Sequence, residues 1–278
     1  MVARCLLYAV VALQMAFASD VSGYKEKPEK VKTPKQEVTT TTTTTTTSTP
    51  PTTTSTTIPK QEVRDTAATT TPPNFVFIVA DDLGWNDVGY HSATNAYTPV
   101  LDALKAEALE LNRFYVYSKC APTRSSLYTG SLSHHIQMQH DVGLTEQFAC
   151  SIEHPPELPF WTHKLKSCQN YQHHLIGKWH CGMFRWEDTP MFRGWDSFLG
   201  FYDASMDYFN FTYNDIRDFT KDYRLADPFA YGDYATDIWA DQALEIIQHA
   251  AANPDAAPFT ITLAFNAPHS PIHSRQPY

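Results

Sequence analysis

At 278 residues the chain has room for one or two domains, and 42% hydrophobic with 13% aromatic residues is enough to build a core. Its 21 Lys+Arg face 30 Asp+Glu, a formal net charge of −9. That balance excludes a general nucleic-acid binder, because affinity for a phosphate backbone needs a cationic face; an anionic ligand would have to be gripped by a local basic cluster.

Residues Met1 to Ala18 carry one early charge, Arg4, then an apolar stretch from Cys5 to Phe17 ending in Ala16-Phe17-Ala18. That small-x-small ending reads as a secretory signal cleaved near Ala18. The stretch is short of the roughly 20 apolar residues a spanning helix needs, and no later stretch could span a bilayer, so no membrane association is expected after cleavage. From Ser19 to Pro73 there is almost nothing to bury: Lys, Glu and Pro, nine threonines from Thr39 to Thr47, then more Thr and Pro. Such a segment cannot offset its ordering entropy and reads as a disordered, O-glycosylated stalk. The folded part is expected over Asn74 to Tyr278.

Phe75 to Ala80, FVFIVA, reads as a buried strand ending in Asp81, Asp82 and Gly84. Thr98-Pro99 reads as a helix start, followed by a stripe of Leu101, Leu104, Ala108 and Leu111. Phe114 to Tyr117 reads as a second short strand; Cys120 follows it, before Pro122 and a helix through Leu127. Phe160 to Cys168 reads as a helix and Tyr171 to Lys178 leads into a strand, HLIGKWH. Asp237 to Ala251 reads as an amphipathic helix with Ile238, Ala240, Leu244, Ile247 and Ala251 inward, and Phe259 to Phe265 as another buried strand. Alternating strands and helices imply an α/β fold with a mostly parallel central sheet flanked by helices. Ligands of such sheets bind beyond the strand ends, where the polar residues gather here.

Four of those ends carry chemistry. Asp81 and Asp82 are adjacent carboxylates, costly unless a cation compensates them, and a hard ion such as Ca²⁺ or Mg²⁺ takes such oxygens; taken alone, the pair reads more readily as a solvated turn. Cys120 at a strand-to-helix junction would lie near the positive helix end, with Arg124 one turn on to hold a sulfate or phosphate bidentately; a disulfide cysteine beside a surface arginine is the plainer alternative. Lys178 and His180, two apart at a strand end, would point to one side, and His269 sits after another strand. His134, His135, His140, His173 and His174 lack zinc-site spacing and read as solvated or hydrogen-bonded. With Cys5 removed, Cys120, Cys150, Cys168 and Cys181 remain, an even set that fits disulfides in an oxidising lumen, with the pairing open. Asn210-Phe211-Thr212 is a glycosylation sequon.

Taken in order, VADDLGWNDVG (79–89), CAPTRSSLYTG (120–130), GKWHCGM (177–183) and APHSP around His269 resemble four signatures of the sulfatase family in the alkaline-phosphatase-like superfamily. The wording is nearest its N-acetylgalactosamine-4-sulfatase branch. The resemblance implies a sulfuric ester hydrolase whose Cys120 is oxidised by the formylglycine-generating enzyme, within a Cys-x-Pro-x-Arg core intact through Pro122 and Arg124; Thr123 stands where the family usually has Ser. It further implies one Ca²⁺ held by Asp81, Asp82 and the residue-120 side chain, and Lys178, His180 and His269 as groups that contact sulfate or move protons. It implies a sulfated small-molecule or glycan substrate and a lysosomal or secreted location. The family's later Asp-Asn pair, a further lysine and its smaller C-terminal domain are not found before Tyr278, so an N-terminal part of the fold is expected, with a sheet edge exposed. The alternative is a non-catalytic secreted protein displaying a sulfatase-like module on a mucin-like stalk. Cys181, where Leu is usual, adds a half-buried thiol or disulfide.

Overall fold

Each of the long apolar runs forms a strand. The computed structural model describes residues 7–13, 72–93, 96–136, 138, 158–183 and 185–275. Residues 19–70 make up a separate unit outside the described residues, as are His140 and Cys150, so the stalk and any Cys150 disulfide are not described. Strands β1 (Leu7–Leu13), β2 (Asn74–Asp81), β3 (Gln172–Lys178) and β4 (Ser197–Phe201) are followed by four two-residue strands. These are β5 (Thr212–Tyr213), β6 (Ile216–Arg217), β7 (Thr220–Lys221) and β8 (Arg224–Leu225); β9 is Phe259–Pro268. The helices are α1 (Pro99–Glu107), α2 (Cys120–Thr129), α3 (Trp161–Gln169) and α4 (Ala235–Ala252).

One sheet runs in the order β1-β2-β9-β3-β4-β7-β8. Its pairs from β1 to β4 are parallel, while β7 and β8 add antiparallel partners at one side. A parallel sheet must be covered on both faces, and the period of two along each strand does this. Val76, Ile176, Leu199 and Leu263 pack on one face with Ile238, Trp239 and Ala243 of α4. Their neighbours Val79, Leu175, Phe198 and Ala264 pack on the other with Tyr128 of α2 and Phe160 at the start of α3. Each such fully buried aliphatic or Phe side chain contributes about 1.5–3 kcal/mol.

Several local expectations give way to tertiary context. Phe114 to Tyr117 forms no strand, and Phe114 and Tyr115 stay exposed. Helix α1 stops at Glu107 and buries none of its residues; Leu104 and Leu111 of the expected stripe are exposed. In α4 the inward face is Ile238, Trp239 and Ala243, while Leu244 and Ala251 are exposed. Its largest side chain sets that rotation: Trp239 stacks on Phe219 and donates from Nε1 to Asn266 Oδ1 at 3.1 Å. The reading of residues 1–18 as a secretion signal is not among these; within it, Leu7–Leu13 is described as β1, parallel to β2. Cys168 is an exposed and Cys181 a buried free thiol.

Candidate active site at the strand ends

Asp81 closes β2 after a register shift against β9 between Val79 and Asp81, and Asp82 follows at φ +61°. The two carboxylates therefore part: Asp81 is fully buried, whereas the Asp82 side chain is 35% exposed. Helix α2 begins at Cys120, half-buried, and its first turn is fastened by Thr123 Oγ1, which donates to Lys119 O at 2.8 Å. One turn on, Arg124 is wholly buried; its NH1 donates to Lys178 O at 2.9 Å and its NH2 lies 3.4 Å from Asp81 Oδ1.

At the end of β3, Gly177 has φ +94°, and a Cβ there would stand 2.1 Å from Ala264 O. Only glycine lets β3 lie this close to β9 before Lys178. Lys178 then turns its Nζ to Asp81 Oδ2 at 2.5 Å. The cluster is one buried anion between two buried cations. Burial pushes the Asp81 carboxyl up, yet Lys178 and then Arg124 outweigh it and hold it at about 2.

His180 arrives by a route other than strand alternation, because β3 stops at Lys178. Trp179 N and His180 N donate to Phe201 O and Tyr202 O, both at 3.0 Å, and His180 takes φ +50°. Burial, with Lys178 and Arg124 adding to it, holds its imidazole well below the usual pKa, so it is neutral. His269 follows β9. Its Nδ1–H donates to Ser270 O at 2.6 Å, which turns Nε2 towards Asp82 Oδ2, 3.6 Å away. Tyr208 OH donates to Asn266 O and His269 O at 2.8 and 2.9 Å and so holds that strand end. Cys120, His180 and His269 line one pocket of about 390 Å³.

Asp81 Oδ1, Arg124 Nε and both His180 ring nitrogens are buried with no hydrogen-bond partner among the described residues. Buried polar atoms of a native site rarely stay so, and they mark this as a place for a polar ligand. The Asp81 oxygen left without a hydrogen bond and the Asp82 carboxylate could supply two of the roughly six to eight oxygens that Ca²⁺ takes. Among the described residues no three His, Cys, Asp or Glu side chains gather to complete such a shell.

The fold finds its counterpart in known proteins. The family model described as Sulfatase matches residues 73–278, and the chain belongs to the sulfatase family. It is 33% identical over 207 residues to arylsulfatase J of Mus musculus, covering 73% of this chain and 33% of that protein. It is 27% identical to N-acetylgalactosamine-6-sulfatase of the same organism, covering 74% and 42%. The crystal structure of Ps i-CgsB in complex with k-i-k-neocarrahexaose matches at 27% identity and TM-score 0.64, covering 73% of this chain and 47% of that one. This chain thus spans less than half the length of these relatives, and its fold is the alkaline-phosphatase-like α/β fold.

Of the residues singled out in the sequence, Cys120, His180 and His269 line the pocket, Asp82 lies 3.6 Å from His269, and Asp81, Arg124 and Lys178 contact one another in the buried interior. Sequence reasoning passed over the rest of the pocket, Ser205, Thr212, Tyr213 and Asn214 among them. The one signal for those was Asn214-Asp215 between short β-prone pairs, a two-residue hairpin turn.

Proposed function

We propose that the chain is the nucleophile-bearing part of a sulfuric ester hydrolase. The observation that supports this most is that Cys120, His180 and His269 line one pocket, with Asp82 3.6 Å from His269 and Asp81 paired with the buried Arg124 and Lys178. Arg124 and Lys178 would hold the negative charge that builds on the sulfuryl oxygens, with backbone N–H groups of the first turn of α2 aimed the same way. His269, its Nδ1–H tied to Ser270 O, would hold a proton at Nε2 for the leaving oxygen. Neutral His180 would take the proton whose departure releases sulfate. Formylglycine, made from Cys120 by the formylglycine-generating enzyme, would supply in its hydrated form one hydroxyl to attack sulfur and a second to expel sulfate. Asp81, Asp82 and that side chain would hold one Ca²⁺, which lowers the pKa of the attacking hydroxyl and neutralises sulfate oxygens.

The organisation that goes with this reading is a signal over residues 1–18, a stalk over 19–73 and the sulfatase part from 74, on the secretory route to the lysosome or outside. The substrate is a sulfate ester, with sulfated galactosamine the class closest to hand. The test is direct. Protein expressed with the maturation enzyme is digested and the residue-120 peptide weighed, while hydrolysis of an aryl sulfate is followed with and without a chelator. Aldehyde at 120 and chelator-sensitive turnover are expected; thiol throughout overturns the reading.

A further inference from the structure

The pocket has two unlike sides. Its floor is Cys120, His180 and His269 over the buried Arg124 and Lys178. Among the described residues its outer wall is neutral, Ser205, Thr212, Tyr213, Asn214 and Ser270, with Asp207 the one charged group and no Lys or Arg lining it. Asp207 Oδ1 is already engaged by the backbone N–H groups of Phe209 and Asn210 at 2.9 and 2.8 Å, and its Oδ2 lies 3.7 Å from His273 Nδ1.

The wall is built stiffly. Strands β5 and β6 pair Thr212 with Arg217 and Tyr213 with Ile216. Asn214 and Asp215, at φ +49° and +64°, close them with the two-residue left-handed turn that hairpins prefer. Phe211, fully buried, packs edge-on against Phe219 and Phe229 and anchors the hairpin from behind. On the exit side Asp218 Oδ2 accepts from Tyr202 N and Asp203 N at 2.9 and 2.8 Å, tying the hairpin to the end of β4. A wall held on both flanks keeps Tyr213 and Asn214 where they face the ligand.

We propose that this hairpin, through Thr212, Tyr213 and Asn214, selects the substrate, and that it selects a sugar residue carrying one sulfate and no other charge. The inference rests on the sulfate-ester reading above. One sulfate is matched by the cations beneath the floor. A second sulfate or a carboxylate would meet the neutral wall and Asp207 and lose its hydration without a partner. The Tyr213 ring offers an apolar face to a pyranose, and the hydroxyl of Thr212 and the amide of Asn214 offer hydrogen bonds to its hydroxyl or acetamido groups. At about 390 Å³ the pocket lies at the lower end of the range of about 300–1,000 Å³ for small-ligand sites.

The experiment measures calorimetric binding to the full matured chain of three probes: inorganic sulfate, N-acetylgalactosamine 4-sulfate and its 4,6-disulfate. The monosulfated sugar is expected to bind about tenfold tighter than inorganic sulfate, and the disulfate about tenfold weaker than the monosulfate, the effect of one unpaired polar group. Tyr213→Ala should erase the sugar's advantage and leave inorganic sulfate unchanged; Tyr213→Phe should keep most of it. A disulfate that binds as well as the monosulfate, or an advantage that survives Tyr213→Ala, overturns the proposal while the hydrolase reading stands. Failure of all three probes, inorganic sulfate included, overturns both. The wild-type comparison needs no variant to fold.

Discussion

Lys178 and Trp179 are neighbours in the chain and serve opposite regions. Lys178 enters the charged floor with Asp81 and Arg124, where polar atoms are left without partners. Trp179 enters an aromatic layer, stacked on Tyr128 at 5.4 Å and edge-on to Trp195 at 5.2 Å, with Nε1 donating to Gly182 O at 2.8 Å. Aromatic pairs of this kind add about 0.5–1.5 kcal/mol beyond the area they bury. The floor holds an excess cation in a dry place, which is a cost to folding and an attraction for an anion. The difference teaches that the stability holding the site is supplied next door to it, by groups that take no part in the chemistry.

The comparison breaks if the two regions respond alike to substitution. Trp179→Ala should cost about 3–5 kcal/mol in urea unfolding, as a large cavity does, and its effect should add simply to that of a distant core change. Lys178→Met alone should cost about as much, because it leaves Asp81 short of a buried partner. Paired with Asp81→Asn, the same change should cost clearly less than the two single effects summed. Strict additivity for Asp81 and Lys178 would mean the floor is no more electrostatic than the aromatic layer.

A smaller effect separates the sheet interior from the surface through pH. His173 is buried in β3, its Nδ1 2.8 Å from Thr260 Oγ1, and burial pushes it down to about 4 from 6.5. The unfolded chain therefore binds this proton first. Its contribution is intact above pH 6.5 and is lost as pH falls from 6.5 to 4, by up to about 3 kcal/mol. Unfolding free energies measured across that window should slope accordingly in the wild type and flatten in His173→Gln; an equal slope in both would remove His173 as the cause.

The smallest effect concerns the thiols. Cys168 on α3 is exposed and should be alkylated readily. Cys181, under Ser125 at 3.5 Å and pushed up to about 12 by burial, should react only on unfolding, orders of magnitude more slowly. Labelling followed by peptide mass analysis reads both at once. Equal rates would place Cys181 outside the packed side of the floor.

Composition and local pattern were enough for the strands β2, β3 and β9 and for the helices α2 and α3, because a short apolar run bounded by polar residues has few other uses. They were enough, too, for the kinds of residue at the strand ends. Adjacent identical residues were beyond them: nothing local says that Asp81 is buried between two cations while Asp82 faces the pocket side, since a register shift against β9 decides it. The rotation of α4 was set by Trp239 finding Asn266. His180 reaches the site through backbone bonds to Phe201 and Tyr202, and the selecting wall comes from two-residue strands too short to show a period. In each of these the deciding contact joins residues far apart in the chain, and only packing in three dimensions brings them within range.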